Sequence, residues 1–154
     1  MTHKIYFENG IAFQRTRDYV KAIECFRKAI DIKPDFAEAY YQMGMAYGMS
    51  NQSYEAIECF RKAIDIKPGF AEAHYNMGVA YAIGYKDYKT AIECYKNAIQ
   101  YKPDFAPAYL ILGITYVKNI GGNINIKQGI EYIKKAVYLG SEQAKQWLRD
   151  NGID

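Results

Sequence analysis

The chain has 154 residues, half of them hydrophobic, and its 20 basic and 17 acidic side chains leave a formal net charge of +3. This length suits one domain with a sizeable core, and so small a net charge indicates neither nucleic acid nor an acidic membrane as a partner. No stretch approaches the roughly 18 apolar residues of a membrane span, and the first residues lack a signal peptide's apolar core. We therefore expect a soluble, cytoplasmic protein with no membrane or nucleic-acid contact.

An internal repeat dominates the sequence. Residues 22–34, AIECFRKAIDIKP, recur unchanged at 56–68, which is a period of 34 residues. Such a period is typical of stacked helical units. Each unit has two apolar-periodic stretches joined by a short polar turn, which predicts an antiparallel helix pair. Alignment on the prolines predicts four units and a separate final segment, at 3–36, 37–70, 71–105, 106–140 and 141–154.

Small residues and prolines recur at fixed places in these units. A glycine inside a helix costs up to about 1 kcal/mol against alanine, so its repetition predicts a facing helix too close for a side chain. A proline disfavours helical backbone at the residue before it, which predicts where each second helix stops. The first-helix glycines are Gly10, Gly44, Gly78 and Gly113, the second-helix small residues are Ala22, Ala56, Ala91 and Gly129, and the prolines are Pro34, Pro68 and Pro103.

These positions resemble the tetratricopeptide repeat family. In the second unit its pattern is met by Tyr40, Met43, Gly44, Tyr47, Ala56, Phe60, Ala63 and Pro68. The resemblance implies an all-α right-handed superhelix, an α-solenoid of about four helix pairs, that binds protein or peptide partners without catalysis. The third unit has one extra residue in its turn at 84–87. The fourth is degenerate, with a turn expanded over about 119–125 that is either a binding loop or neutral drift.

The final segment, 141–154, predicts a capping helix over the end of the stack. Ser141 is a suitable N-cap and Gly152 follows a suitable C-terminus. Ala144, Trp147 and Leu148 then share the face that meets the fourth unit. The alternative is that Trp147 anchors a partner, because tryptophan is common at binding hot spots.

The sequence offers no catalytic constellation. It lacks a paired nucleophile and base, a carboxylate pair and a cofactor loop, so we predict no catalytic, cofactor-binding or metal-binding residues and no cofactor. His74 occupies the place that Tyr40 and Tyr109 fill in sister units, which predicts a core residue. The three cysteines share one repeat position, which indicates reduced structural thiols.

The resemblance implies that the first helix of each pair lines a concave groove. Residues four apart lie on one helix face, so stacked units would align two apolar rows. The predicted peptide-binding residues are Phe7, Ile11, Tyr41, Gln42, Met45, Tyr75, Asn76, Val79, Leu110 and Ile114. Gly48, Ala82 and Ile83, near the ends of the rows, are also uncharged, and Glu38 and Glu72 lie at the rim. The rows are either packing between neighbouring first helices or an exposed groove for an apolar or aromatic segment, with Tyr41 and Tyr75 as its anchors.

The predicted groove lacks the residues that bind acidic peptide tails in some members of the family. A subclass of the family binds acidic chaperone tails through a carboxylate clamp of lysines, asparagines and an arginine, but this chain has Phe7, Ile11, Gln42 and Glu72 at matching positions. Carboxylate-clamp partners are therefore not expected. Two alternatives to a foreign partner remain. One is a self-assembling scaffold whose groove receives another copy, which gives a homo-oligomer, and the other is an accessory region of a multi-domain enzyme.

Overall fold

The computed structural model describes residues 2–118, 120–122 and 125–153, and within them it contains α-helices, one short 3₁₀ turn and no β-strand. The helices pack as consecutive pairs, α1 with α2 through α7 with α8, and α9 packs on α8. The predicted α-solenoid is confirmed. The helices are α1 (His3–Arg15), α2 (Tyr19–Ile32), α3 (Ala37–Met49), α4 (Ser53–Ile66), α5 (Ala71–Tyr85), α6 (Tyr88–Tyr101), α7 (Ala106–Val117), α8 (Ile126–Tyr138) and α9 (Glu142–Asp150).

The glycines bring the two helices of each pair into close contact. A Cβ added to Gly44 would lie 2.7 Å from Cε1 of Phe60, and one added to Gly78 would lie 2.6 Å from Cε1 of Tyr95. At Gly113 it would lie 2.6 Å from the backbone oxygen of Gly129. The predicted close approach is therefore confirmed, and the space that a side chain would need is filled by a ring or by backbone.

Prolines end the second helices as predicted. Helices α2, α4 and α6 stop two residues before a proline, and the residues between, Lys33, Lys67 and Lys102, have φ values of −131°, −132° and −134°. These are extended conformations, as steric conflict with a following proline ring requires. Each unit thus turns a sharp corner into the next first helix.

Some first helices also contact each other directly across neighbouring units. Helix α1 approaches α3, and α3 approaches α5, more closely than α2 approaches α4 or α4 approaches α6. We call the surface formed by α1, α3, α5 and α7 the inner face. An amide hydrogen bond crosses it, from Nδ2 of Asn76 to the hydroxyl of Tyr41 at 3.0 Å.

The fourth pair and the final helix close the stack. The turn before α8 contains a 3₁₀ turn, Ile120–Gly122, whose two glycines have φ values of 77° and 76°, a region that favours glycine. Asn119, Asn123 and Ile124 of the predicted expanded turn lie outside the described residues. The hydroxyl of Ser141 accepts a hydrogen bond from the amide of Ala144 and so caps α9.

Helix α9 covers the apolar end of the fourth pair, as the sequence predicts. Ala144 and Leu148 are buried in one cluster with Ile133 and Ala136 of α8, and Trp147 is partly buried against it. None of the helices in the described part has both the length and the apolar composition needed to cross a membrane.

Candidate binding groove on the inner face

Aromatic rings of the first predicted row are built into the stack. The ring of Tyr41 lies 5.9 Å from that of Phe60 on the paired helix and 4.8 Å from that of Phe70, which leads into the next unit. The same arrangement recurs at Phe7, with Phe26 and Phe36, and at Tyr75, with Tyr95 and Phe105. These rings are half-buried, so they pack in the fold and still present part of their surface to the inner face.

The hydroxyls of Tyr41 and Tyr75 share this partial burial. Burial raises the pKa of Tyr41, and the nearby Glu72 carboxylate raises it further. Burial also raises the pKa of Tyr75. Both phenols therefore remain neutral at physiological pH, as uncharged hydrogen-bonding groups on an otherwise apolar surface.

The second predicted row is also half-buried. Ile11 packs on the first-unit core, Val79 packs on the third-unit core, and Met45 lies between them on α3. Leu110 and Ile114 of α7 pack on the cluster that α9 covers. The members of the second row thus pack on different clusters, and its α7 member, Ile114, packs together with Leu110 of the first row at the end of the stack.

Polar groups at the rim are largely occupied within the protein. The amide nitrogen of Asn76 donates to the Tyr41 hydroxyl and to the backbone oxygen of Glu72, each at 3.0 Å, so only its oxygen is left for a ligand. Glu38 pairs with Lys67 at 3.3 Å and Glu72 pairs with Lys102 at 2.7 Å. Gln42 is half-buried on α3. The rim therefore offers fewer ligands for a peptide backbone than the residue types alone predict.

A cleft of about 400 Å³ opens between the C-terminal halves of α3 and α5, and we call it the rim cleft. Three of the predicted groove residues line it, Met45, Asn76 and Val79, and so do Gly48 and Ile83. The sequence analysis did not assign the remaining lining residues to the groove; they are Met49, Asn51, Ser53, Phe60, Ala80 and Gly84. Met49 and Ile83 are 62% and 68% exposed, so two large apolar side chains stand at its mouth.

The extra residue of the third unit shapes this cleft. Helix α5 has 15 residues where α3 has 13, and it ends at Tyr85 with Lys86 in a left-handed conformation at φ 56°. The added length carries Gly84 onto Ser53, where a Cβ on the glycine would overlap the serine side chain. The one sequence signal for the cleft was therefore the insertion itself.

A second cleft of about 360 Å³ is lined by residues of α4, α5 and the turn after α5, and we call it the outer cleft. Its lining combines tyrosines with charged groups: Tyr54, Ile57, Glu58, Arg61, Tyr81, Tyr85 and Asp87. Arg61 pairs with Glu58 at 3.0 Å and donates to the Tyr81 hydroxyl at 3.3 Å. The two clefts flank one edge of the stack but differ in charge.

Groups suited to chemistry lie elsewhere and are engaged in packing. His74 is 7% exposed, stacks on the ring of Tyr101 and places Nε2 2.9 Å from the backbone oxygen of Pro68, which confirms it as a core residue. Burial raises the pKa of Cys59 to about 12 and that of Cys94 to about 11. In the part of the chain that the structure describes, no three His, Cys, Asp or Glu side chains are grouped to hold a metal ion.

Three repeat-family models match the chain. The family described as TPR repeat matches residues 18–51 and 86–119, the one described as Tetratricopeptide repeat matches 37–70, and the one described as Sel1 repeat matches 71–100 and 106–141. No curated protein sequence matches the chain.

Solved structures of MamA have a similar fold. A crystal structure of MamA is 29% identical, with a TM-score of 0.79, over 93% of this chain and 81% of that one. The structure titled MamA 41-end, from Desulfovibrio magneticus RS-1, is 26% identical, with a TM-score of 0.77, over 95% of this chain and 81% of that one.

Proposed function

Because the chain belongs to the tetratricopeptide repeat family, we propose that it is a non-catalytic protein-interaction module whose inner face binds an apolar or aromatic segment of a protein partner. The observation that carries this proposal is the absence of unpaired charge along α3, α5 and α7, whereas α1, at the start of the inner face, has exposed Lys4, Glu8 and Arg15. Helices α3, α5 and α7 are fully described, and Glu38 and Glu72 are their only acidic or basic residues. Each is paired with a lysine.

The exposed apolar surface of these helices supports the same proposal. Soluble proteins rarely leave contiguous apolar patches uncovered unless the patch serves an interaction. The half-buried rows of Tyr41, Tyr75 and Val79 continue into Met49 and Ile83, which are mostly exposed. A partner that covers this surface gains the free energy of removing it from water, about 25 cal/mol for each Å² buried.

The proposal is tested with peptides from a random display library of about a dozen residues, enriched on the folded protein. Each enriched peptide is resynthesised with a photo-crosslinking residue at one end, and the crosslinked positions are identified by mass spectrometry. We expect crosslinks on α3, α5 and α7. Crosslinks confined to the outward surfaces of α2, α4 and α6, or no enriched peptide at all, would overturn the proposal.

Self-assembly is a second candidate, and one observation at the start of the stack favours it. Ile5 of α1 occupies the position of Ala39, Ala73 and Ala108, which are each 0% exposed because the preceding second helix covers them. Ile5 itself is 43% exposed. A second copy that covered this face of α1 would produce a concentration-dependent mass in light scattering, and Ile5→Glu would abolish it. A constant monomer mass would exclude this candidate.

The non-catalytic part of the proposal rests on the same packing. His74, Cys59 and Cys94 are buried in the core, and their burial removes them from contact with a substrate, whereas Cys25 is half-buried. The expected result is no turnover across generic hydrolase and transferase substrates. Robust turnover that is lost in His74→Phe, in a variant that still folds, would contradict it.

A further inference from the structure

We propose that the rim cleft is the anchor site of the partner, and that the anchor is an uncharged aliphatic side chain of the leucine, isoleucine or methionine type, in a protein segment with no charged residue beside it. This inference rests on the proposed function, since it names the chemistry of the segment that the inner face binds.

The cleft comes from the longer α5. Because α5 continues to Tyr85, Gly84 reaches Ser53 and lines one end of the cleft, next to Ile83 and its repeat equivalent Met49, the last residue of α3. These two side chains are 68% and 62% exposed and form the two sides of the opening, with Phe60 behind them. Methionine is unbranched and adapts its shape to what it touches, so the Met45 and Met49 side chains can close on an aliphatic group.

The lining excludes charge. No acidic or basic side chain lines the rim cleft, and its polar groups are Asn51, Ser53 and Asn76. The Asn76 amide nitrogen already makes two hydrogen bonds inside the protein. A charged group placed there would lose hydrating water without gaining an ionic partner, which is unfavourable, whereas an aliphatic group is stabilised by burial. The volume of the rim cleft, about 400 Å³, lies within the range of roughly 300–1,000 Å³ of known ligand pockets.

The outer cleft gives the contrast within the same protein. It has nearly the same volume, about 360 Å³, but Glu58, Arg61 and Asp87 line it. Ser53 and Gly84, which contact each other, line the rim cleft, and their chain neighbours Tyr54 and Tyr85 line the outer cleft. An uncharged aliphatic anchor should therefore prefer the rim cleft, and matched substitutions in the two clefts can report which cleft it uses.

The experiment uses the full chain and the peptides enriched on it from the random library. Their affinities are measured by fluorescence anisotropy for the wild type, for Ile83→Glu and Met49→Glu, and for Tyr54→Glu as the control. Tyr54 is 64% exposed and lines the outer cleft, so its substitution matches the other two in exposure and in charge. Far-ultraviolet circular dichroism checks that all three variants fold, and we expect them to fold because the substituted positions are exposed.

We expect the enriched peptides to share an aliphatic residue without flanking Asp, Glu, Lys or Arg. We also expect Ile83→Glu and Met49→Glu each to weaken binding at least about tenfold, the loss typical of an anchor contact, and Tyr54→Glu to change it less than about twofold. A charged consensus, unchanged affinity in both rim-cleft variants, or an equal loss in the control would overturn the inference. Peptides that still crosslink to the inner face in those cases would leave the proposed function standing. A concentration-dependent dimer that Ile83→Glu dissociates would instead assign the cleft to a second copy, and would overturn the inference as well.

Discussion

Replacing Gly44 by alanine tests the close approach of α3 and α4. The new Cβ would lie 2.7 Å from Cε1 of Phe60 and 3.2 Å from the backbone oxygen of Ala56. Phe60 is 2% exposed, with the Tyr41 ring 5.9 Å away, so it has little room to move. Overpacking of this kind costs about 1–3 kcal/mol, against a gain of up to about 1 kcal/mol in helix propensity. We expect a net loss of about 1 kcal/mol or more in the free energy of unfolding.

Gly48→Ala in the same helix is the matched control. A Cβ at Gly48 would lie 4.0 Å from the nearest atom, the Cβ of Ala56, which is ordinary contact. Only the propensity gain remains there, so we expect a stabilisation of up to about 1 kcal/mol. Both variants are measured by urea unfolding followed by far-ultraviolet circular dichroism. If Gly44→Ala were as stable as Gly48→Ala, the account of how the helix pairs close would be refuted.

Three further predictions concern titration and capping. The pKa values of about 12 for Cys59 and about 11 for Cys94 predict that neither thiol reacts with a thiol dye near neutral pH until urea unfolds the protein, whereas the half-buried Cys25 can react. Rapid labelling of Cys59 or Cys94 in the folded protein, located by mass spectrometry, would contradict their burial. Burial is the largest single influence on Glu72 and opposes its ionisation, but the hydrogen bond from Lys102, a backbone hydrogen bond and the charges of Lys102 and Lys67 together outweigh it and lower the pKa. A lowered folded-state pKa adds stability above the unfolded value of about 4.3, and that stability is lost as pH falls through the folded value. Glu72→Gln should therefore make the free energy of unfolding, measured by urea unfolding, depend less on pH on the acid side. The difference should be a few tenths of a kcal/mol, because the Glu72–Lys102 pair is partly exposed. An unchanged pH dependence would show that the pair contributes nothing to stability. Ser141→Ala should reduce the stability of α9 by about 1 kcal/mol, because it removes the N-cap of that helix. Trp147 fluorescence should then change at a lower urea concentration than the far-ultraviolet circular dichroism signal. Coincident transitions would contradict a separately weakened α9.

The helix pairs were predictable because each repeated residue has a direct physical cause. Pro34 and its equivalents stop a helix wherever they occur, and Gly44 and its equivalents are costly unless a neighbour needs the space. The cap was predictable for a similar reason, since Ala144, Trp147 and Leu148 share one face of a short helix. In these cases the local rule and the packed structure agree.

The rim cleft was not predictable in the same way. The sequence has one extra residue at 84–87, but it does not say whether the chain absorbs it as a longer loop or as a longer helix. The structure takes the second course, with α5 continuing to Tyr85 and Lys86 in a left-handed conformation. Similarly, Asn76 was recognisable as a polar residue on the groove side, while its hydrogen bond to Tyr41 depends on how closely two units stack.

The most direct test of the central claim is a nuclear magnetic resonance titration with methionine methyl groups labelled, because the chain contains only five methionines. Met45 and Met49 line the rim cleft on the inner face, whereas Met43, on the same helix, is 9% exposed in the core. On addition of an enriched peptide, the account predicts saturable shifts of the Met45 and Met49 methyl signals with little change at Met43. Saturated binding that leaves both the Met45 and the Met49 signals unmoved would contradict it.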